Sequence, residues 1–342
     1  MKPAREYDIR YGNQLVQGES AGWSRYIVIS TPTAWQTAEP FFTVKPVAVG
    51  MNQWLDRTHL EEIADSLPND VDMVVGVGGG RALDHAKYVG FRKGLPVVLV
   101  PTIVSTGAII HGNCGNWTGR LMNGFVCEID PEYVLVDYEL VRLAPQRLNT
   151  AGIGDVLCGY AGLSEWRHAT QLGIEPPFDE ELARTTIEHH AYIVENFPAT
   201  FDSEGALTDA SVRFIMEAVQ QRDDKMLRHP SAPSADHAFC FALEYANDRL
   251  WIHGEETALG AVIIAWHSEQ KPEVLVDWLD RCKVHFRPRQ MGISKQELQR
   301  CLEILPKWIE DAPGGRNANS ILCHTPLVGP RFEACWEWLE NC

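Results

Sequence analysis

The stretch from Val74 to Lys87 constrains the fold more than any other part of the chain. An apolar run ends in three consecutive glycines, Gly78, Gly79 and Gly80, and a helical pattern begins at once. A strand that turns into a helix through glycines can bring its backbone close to a ligand, and the N–H groups at the helix start attract anions. The spacing is not G-x-G-x-x-G, so the segment is consistent with a phosphate-binding turn or with a tight turn that binds nothing.

Short apolar runs alternate with helical patterns over the first 147 residues. The runs predict strands at 26–30, 47–49, 73–77, 97–100 and 133–136, with helices at 57–67, at 81–93 and from residue 140. Alternation of this kind is typical of a parallel sheet covered by helices.

The strand signal disappears after residue 147. Helical spacing of apolar residues predicts helices at 151–171, 178–196, 207–221, 234–249, 254–269, 272–281, 294–311 and 330–341, and residues 312–327 are expected to form a long loop. We therefore expect an α/β domain at 1–147 and an all-α domain at 148–342.

Composition excludes several classes of function. The chain has 342 residues and a net charge of −16, which argues against a nucleic-acid surface and against binding to anionic membranes. Its apolar runs are too short to span a bilayer, and the N-terminus lacks the apolar core of a signal peptide. Its nine cysteines form no C-x-x-C pair, so we expect reduced thiols in a cytoplasmic protein.

Three residues of metal-binding type stand in distinctive local settings. Asp155 ends the run Ala-Gly-Ile-Gly-Asp, His237 lies near a predicted helix start, and His253 begins the next helix. One carboxylate and two imidazoles suit Zn²⁺, Fe²⁺ or Ni²⁺ and leave room for water or substrate. The chain has twelve histidines, and a single histidine is more often an ordinary capping or core-edge side chain than a metal ligand.

Five motifs follow one another in an order that is typical of one family. They are Gly78-Gly79-Gly80-x-x-x-Asp84-x-Ala86-Lys87, Pro101-Thr102-Ile103-Val104-Ser105-Thr106, Pro131-x-x-Val134-x-x-Asp137, Ala151-Gly152-x-Gly154-Asp155 and His253-Gly254-Glu255. With these motifs the chain resembles the metal-dependent polyol dehydrogenases, which include glycerol dehydrogenase, sn-glycerol-1-phosphate dehydrogenase and the iron-containing alcohol dehydrogenases. Dehydroquinate synthase shares their fold. The resemblance covers residues 74–260, about half of the chain.

The resemblance implies a dinucleotide-binding α/β domain, a helical metal-binding domain, a homo-oligomer, and hydride transfer between NAD or NADP and a small alcohol or carbonyl substrate. It implies that Asp155, His237 and His253 hold one divalent metal and are catalytic. Further, it implies that the cofactor is bound by Gly78, Gly79, Gly80, Asp84, Thr102 and Ser105. Without the resemblance, Thr102 and Ser105 are ordinary loop or capping hydroxyls, and Asp84 is a first-turn acid placed by the helix dipole.

Three departures from the family pattern affect substrate and cofactor. Gly107 stands where the family carries an aspartate that contacts substrate hydroxyls, and Phe241 replaces a polar residue four positions after His237. Both changes favour a less hydroxylated substrate or a different way of holding it. The strand that ends at Ser30 is followed by Thr31 and no carboxylate, so Ser30 is expected at the cofactor ribose. A 2′-phosphate would not be repelled there, and NADPH should be accepted.

Two other functions remain open. A sugar-phosphate cyclase of the dehydroquinate synthase type would use NAD transiently. It needs several basic residues in the pocket and a glutamate as first metal ligand, whereas residues 102–137 offer Arg120 without the matching lysines, and Asp155 is an aspartate. A non-enzymatic dinucleotide-binding protein would explain the lost polar positions, but it would not need an open metal site.

Overall fold

The structure is a computed structural model that describes residues 7–52, 54, 56–119, 121–173, 177–225, 235–311 and 320–342. The described residues form two compact units. The α/β unit extends to Asn149 and also contains Gly205–Met216, a segment predicted to belong to the helical domain. The helical unit comprises the described residues of Thr150–Glu204 and Glu217–Cys342.

The α/β unit is built on a six-stranded sheet in which every pairing is parallel. Its strands are β1 (Ile9–Gly12), β2 (Tyr26–Ser30), β3 (Ala48–Met51), β4 (Met73–Gly78), β5 (Val97–Pro101) and β8 (Tyr133–Asp137), in the order β1-β8-β5-β4-β2-β3. Two further strands, β6 (Asn113–Thr118) and β7 (Leu121–Glu128), form an antiparallel hairpin. The unit's helices are α1 (Leu15–Ser20), α2 (Pro32–Ala38), α3 (Arg57–Ser66), α4 (Gly80–Lys93) and α5 (Tyr138–Arg142).

The strand order reverses between β2 and β4. The chain runs from β2 outward to β3, and then returns to the other side of β2 to form β4 and, beyond it, β5. In open parallel sheets, ligands bind beyond the carboxyl ends of the strands at such a switch point. Ser30 pairs with Val77 and Gly78 pairs with Pro101, so the ends of β2, β4 and β5 lie side by side there.

The predicted α/β architecture is confirmed, and all five predicted strands are present, with ends that differ by at most two residues. The strands β1, β6 and β7 were not predicted. The β1 segment is only four residues long and each of them is half-buried, so it carries no apolar run. The β6 segment reads Asn-Cys-Gly-Asn-Trp-Thr, which lacks both β-branched core residues and a clean alternation.

The helical unit has no strand among its described residues, as predicted. Two of its helices, α6 and α9, begin in the α/β unit. The helices are α6 (Gln146–Leu157), α7 (Gly159–Gln171), α8 (Glu180–Asn196), α9 (Asp209–Lys225), α10 (Ala235–Asn247), α11 (His253–His267), α12 (Pro272–Arg281), α13 (Pro288–Met291), α14 (Lys295–Asp311), α15 (Ile321–His324) and α16 (Gly329–Asn341). Nearly every residue of α11 is buried, which makes it the central helix of the unit. Every described helix is too short or too polar to cross a membrane.

Two predictions in this half were wrong in detail. The single helix expected at 151–171 is divided into α6 and α7 at Cys158, although Cys158 itself keeps right-handed helical dihedral angles. The loop expected at 312–327 contains the short helix α15, which begins after Ser320, whose hydroxyl caps Leu322 N. Residues 312–319 and the predicted helix start at 234 lie outside the described part of the chain.

Candidate active site

The helices α6, α10 and α11 bring the three predicted metal ligands together. Asp155 Oδ1 lies 3.3 Å from His237 Nε2 and 3.6 Å from His253 Nε2, and the two imidazole rings are 5.2 Å apart between centroids. One donor atom from each residue lies within 4.8 Å of the other two. Asp155 is buried, whereas about a third of each imidazole is exposed. The three donor atoms, one oxygen and two nitrogens, therefore form a cluster that is accessible from one side.

Two glycines explain how the helices come close enough. A Cβ atom on Gly254 would lie 1.9 Å from the main-chain oxygen of Ala151, and one on Gly154 would lie 2.4 Å from the oxygen of Gly254. The backbones of α6 and α11 are therefore in direct contact at this crossing. In the sequence, Asp155 follows Gly154 and His253 precedes Gly254, so the same contact brings their side chains together.

Asp236 and Arg222 hold two of these three side chains in place. Asp236 Oδ2 lies 3.1 Å from His237 Nδ1, which leaves Nε2 facing Asp155. Carboxylate partners of this kind orient histidines that bind metals. The guanidinium of Arg222 lies 2.7 Å from Asp155 Oδ2 and donates to the main-chain oxygen of the same residue. Oδ1 is thereby directed at the two imidazoles.

Neither partner was predicted. Asp236 stands next to His237 in the sequence, so its proximity was a usable signal. Arg222 is 67 residues from Asp155 in the chain, and no local pattern relates the two.

The charges of the cluster are strongly coupled. Burial disfavours the Asp155 anion, but Arg222 and the two imidazoles outweigh it and hold the pKa of Asp155 well below its usual range. Burial also opposes a charge on His237, yet the carboxylates of Asp236 and Asp155 raise its pKa to about 10. Burial lowers the pKa of His253 to about 4. Near neutral pH the cluster thus contains one carboxylate, one imidazolium and one neutral imidazole.

An aromatic wall lies against His253. The ring of Phe241 stacks on the His253 imidazole with centroids 6.4 Å apart, and the Trp308 ring is 6.3 Å from Phe241. This is the position at which the family pattern has a polar side chain. The wall beside the cluster therefore offers apolar contact at that point.

The predicted cofactor residues gather at the switch point of the sheet. Gly78 has φ +143°, a conformation that side chains of other residues rarely permit, and α4 begins two residues later with no side-chain cap. The loop after β5 packs directly on this turn, since Cβ atoms on Gly79 and Gly80 would meet Ile103 and Thr106.

The loop residues Thr102 and Ser105 are mostly buried beside the glycine turn, and Thr102 N donates to Gly78 O at 3.0 Å. Ser30 and Asp84 are already engaged with protein groups. The Ser30 hydroxyl is buried and donates to Val77 O at 2.8 Å. Asp84 pairs with the Lys87 ammonium at 3.0 Å and accepts from Gly115 N. Their roles at the cofactor, like those of the glycines, stay predictions.

Comparisons with known proteins agree with this architecture. Residues 39–145 match the family model described as iron-containing alcohol dehydrogenase. Glycerol-1-phosphate dehydrogenase [NAD(P)+] of Aeropyrum pernix is 26% identical over 306 residues, which is 84% of this chain and 83% of that protein. A probable glycerol dehydrogenase from Sinorhizobium meliloti superposes with a TM-score of 0.71 at 19% identity, over 99% of this chain and 98% of that one. Glycerol dehydrogenase from Schizosaccharomyces pombe superposes with a TM-score of 0.68 at 17% identity, covering 98% and 91%.

A parallel α/β unit followed by a helical unit is the fold that this chain shares with the two glycerol dehydrogenase structures. The family match and the similarity to glycerol-1-phosphate dehydrogenase support the resemblance to the metal-dependent polyol dehydrogenases that the five sequence motifs indicated.

Proposed function

We propose that the protein is a metal-dependent, NAD(P)-linked dehydrogenase that interconverts a small polyol or glycerol phosphate and the corresponding carbonyl compound. The observation that carries this proposal is the convergence of Asp155, His237 and His253 into one open set of donors. A structural metal site would be closed by a fourth protein ligand, whereas an open site leaves a position for substrate.

The donor set fits a divalent metal. A buried carboxylate oxygen faces two imidazole nitrogens, and Asp236 fixes the ring of His237 from behind. Asp155, His237 and His253 would hold the ion, which we expect to be Zn²⁺, Fe²⁺ or Ni²⁺. When bound, such an ion acts as a Lewis acid on a substrate oxygen. Arg222 would keep Asp155 ionised and limit it to one oxygen toward the ion, since Oδ2 is engaged by the guanidinium.

The glycine turn fits the pyrophosphate of a dinucleotide. Gly78 holds a backbone conformation that favours glycine, and no side chain caps the start of α4, so its first N–H groups are available to an anion. Thr102 and Ser105 lie next to this turn on the loop after β5. These residues would hold the cofactor, which would supply hydride transfer to or from the substrate when bound.

We expect NADPH to be used at least as well as NADH. The residue after β2 is Thr31 and the helix α2 begins at Pro32, so no carboxylate follows the strand where it would repel a 2′-phosphate. Initial rates with the two cofactors at equal concentration test this directly. A strong preference for NADH would contradict it.

The substrate is expected to carry fewer hydroxyl contacts than glycerol has in related enzymes. Gly107 offers no side chain in the turn after β5, and Phe241 presents an apolar ring beside His253. A phosphate on the substrate would supply binding energy that hydroxyls do not, and the similar protein of Aeropyrum pernix is a glycerol-1-phosphate dehydrogenase. We therefore place dihydroxyacetone phosphate first among the candidates.

A screen tests the proposal. Metal-loaded protein is mixed with NADPH and with dihydroxyacetone phosphate, dihydroxyacetone or a series of small ketones, and the loss of cofactor absorbance is followed. Turnover with one of them, lost on chelation and restored by added metal, is the expected result. Failure of every substrate, together with no bound metal, would favour a protein that only binds the dinucleotide.

Metal binding should release a proton from His237. Its pKa is raised to about 10, so the metal displaces a proton at any pH below that value, whereas His253, with a pKa of about 4, is already neutral. The apparent affinity for Zn²⁺ should therefore rise about tenfold per pH unit between about pH 6 and pH 9. Calorimetric titration in buffers of different ionisation enthalpy measures the proton count. An affinity that does not change with pH over this range would contradict the release of a proton from His237 on metal binding.

A further inference from the structure

Two cysteines face each other across the β6–β7 hairpin. Cys114 and Cys127 are direct partners in the antiparallel register, one residue pair in from the start of the hairpin. Directly opposite residues in such a pair have Cα atoms about 4.5–5.5 Å apart, and their side chains lie on the same face. This separation falls inside the range of about 4.4–6.8 Å that a disulfide spans without backbone movement.

The two thiols are already in contact. They belong to one buried cluster with Leu60 of α3 and Tyr88 of α4. Cys114 is fully buried, while Cys127 retains 9% of its surface. A small oxidant can therefore reach Cys127, and the sulfur that would complete a disulfide lies beside it.

Cys127 also differs from the other cysteines in its acidity. A side-chain interaction with Cys114 lowers the pKa of Cys127, whereas the pKa of the seven cysteines outside the hairpin is raised, chiefly by burial. All nine cysteines lie in the described part of the chain. Since the thiolate is the nucleophile, Cys127 should react first.

The hairpin is fastened to the helix that follows the glycine turn. Lys87 Nζ donates to the main-chain oxygens of Ala108 and Asn113, and Asp84 accepts from Gly115 N. These contacts hold the strand on both sides of Cys114. The hairpin is therefore restrained, and the two sulfurs remain close to each other.

We propose that Cys114 and Cys127 are a redox-active pair that forms a reversible disulfide when the protein meets a hydroperoxide. The Cys127 thiolate attacks one peroxide oxygen, the O–O bond breaks, and one water leaves after protonation, so that Cys127 becomes a sulfenic acid. The Cys114 sulfur then attacks the Cys127 sulfur, the S–O bond breaks, and a second water leaves. Two thiols and one hydrogen peroxide thus give one disulfide and two waters. This proposal does not depend on the metal or on the dehydrogenase activity.

The test is peptide mapping of the full chain. Protein is exposed to hydrogen peroxide, free thiols are alkylated under denaturing conditions, and the digest is analysed by mass spectrometry without reduction. We expect a cross-linked peptide containing Cys114 and Cys127, a loss of two of the nine free thiols, and full recovery of both with dithiothreitol. Cys335→Ser, which removes a buried thiol elsewhere, should leave this result unchanged except for one fewer thiol at the start.

Two variants complete the test. Cys127→Ser should lose no thiol at the same peroxide dose, and Cys114→Ser should stop at a sulfenic or sulfinic acid on Cys127. The map of the unaltered protein decides the question even if a variant does not fold. The proposal is overturned if both thiols stay free at doses that oxidise other cysteines, or if Cys127 is oxidised to a sulfinic acid while Cys114 remains free in the unaltered protein.

Discussion

Replacing His253 by alanine should abolish turnover and leave the fold intact. His253 supplies one of the three donors, and a Lewis acid in such a site is worth several kcal/mol of transition-state stabilisation. At 1.36 kcal/mol per factor of ten, its loss should lower kcat by roughly 10³-fold or more. The fold should survive, because a third of this side chain is exposed and the helix behind it is held by a continuous run of buried residues, Ala258–Ala265.

Three measurements on His253→Ala separate a lost metal from a lost fold. Metal content after dialysis should fall towards zero, turnover should fall with it, and the midpoint of thermal unfolding of the metal-free protein should hardly change. His324→Ala is the matched control, since it removes an exposed imidazole from another helix of the same unit and should leave all three readouts unaltered. A His253→Ala variant that kept its metal and its turnover would exclude this residue from the site.

The parts of the fold that the sequence predicted are those with strong local signals. The strand β4 and the helix α4 follow from an apolar run, three glycines and a helical pattern, all within 14 consecutive residues. The hairpin β6–β7 has no such signal. Its buried face is made of cysteines and small residues that pack against α3 and α4, and that contact depends on the tertiary structure.

The residues of the candidate site likewise differ in whether a local sequence signal predicted them. Asp155 and His253 could be proposed because each stands in a short motif that resembles a known family, and the resemblance implied His237 as the third ligand. Arg222, which orients Asp155, approaches it from a helix 67 residues away, and no local pattern records the pairing. Ser30 was predicted from its position at the end of β2 alone. In the structure its hydroxyl donates to Val77 O on the neighbouring strand, and its role at the cofactor stays a prediction.

Replacing Gly254 by alanine should disable the metal site without removing any ligand. The added Cβ would lie 1.9 Å from the main-chain oxygen of Ala151, so α6 and α11 must move apart. Overpacking of this kind typically costs about 1–3 kcal/mol, and here the obstacle is backbone, which cannot change rotamer. The shift would carry His253 away from Asp155, and a displacement of about 1 Å can lower a rate by roughly 10²-fold. Metal affinity, turnover and the unfolding midpoint should all fall.

The direction of the stability change distinguishes a steric conflict from the usual effect of replacing glycine by alanine in a helix. In a helix, alanine is favoured over glycine by about 1 kcal/mol, so a substitution without steric conflict should stabilise the protein or leave it unchanged. Gly18→Ala is the control: Gly18 lies in α1, and a Cβ there would meet nothing within 4 Å. If Gly254→Ala behaved like Gly18→Ala, the crossing of α6 and α11 would not be what sets the distance between Asp155 and His253. If it unfolds earlier and loses metal while all three ligands remain in the sequence, close backbone packing is as necessary to the site as the donors themselves.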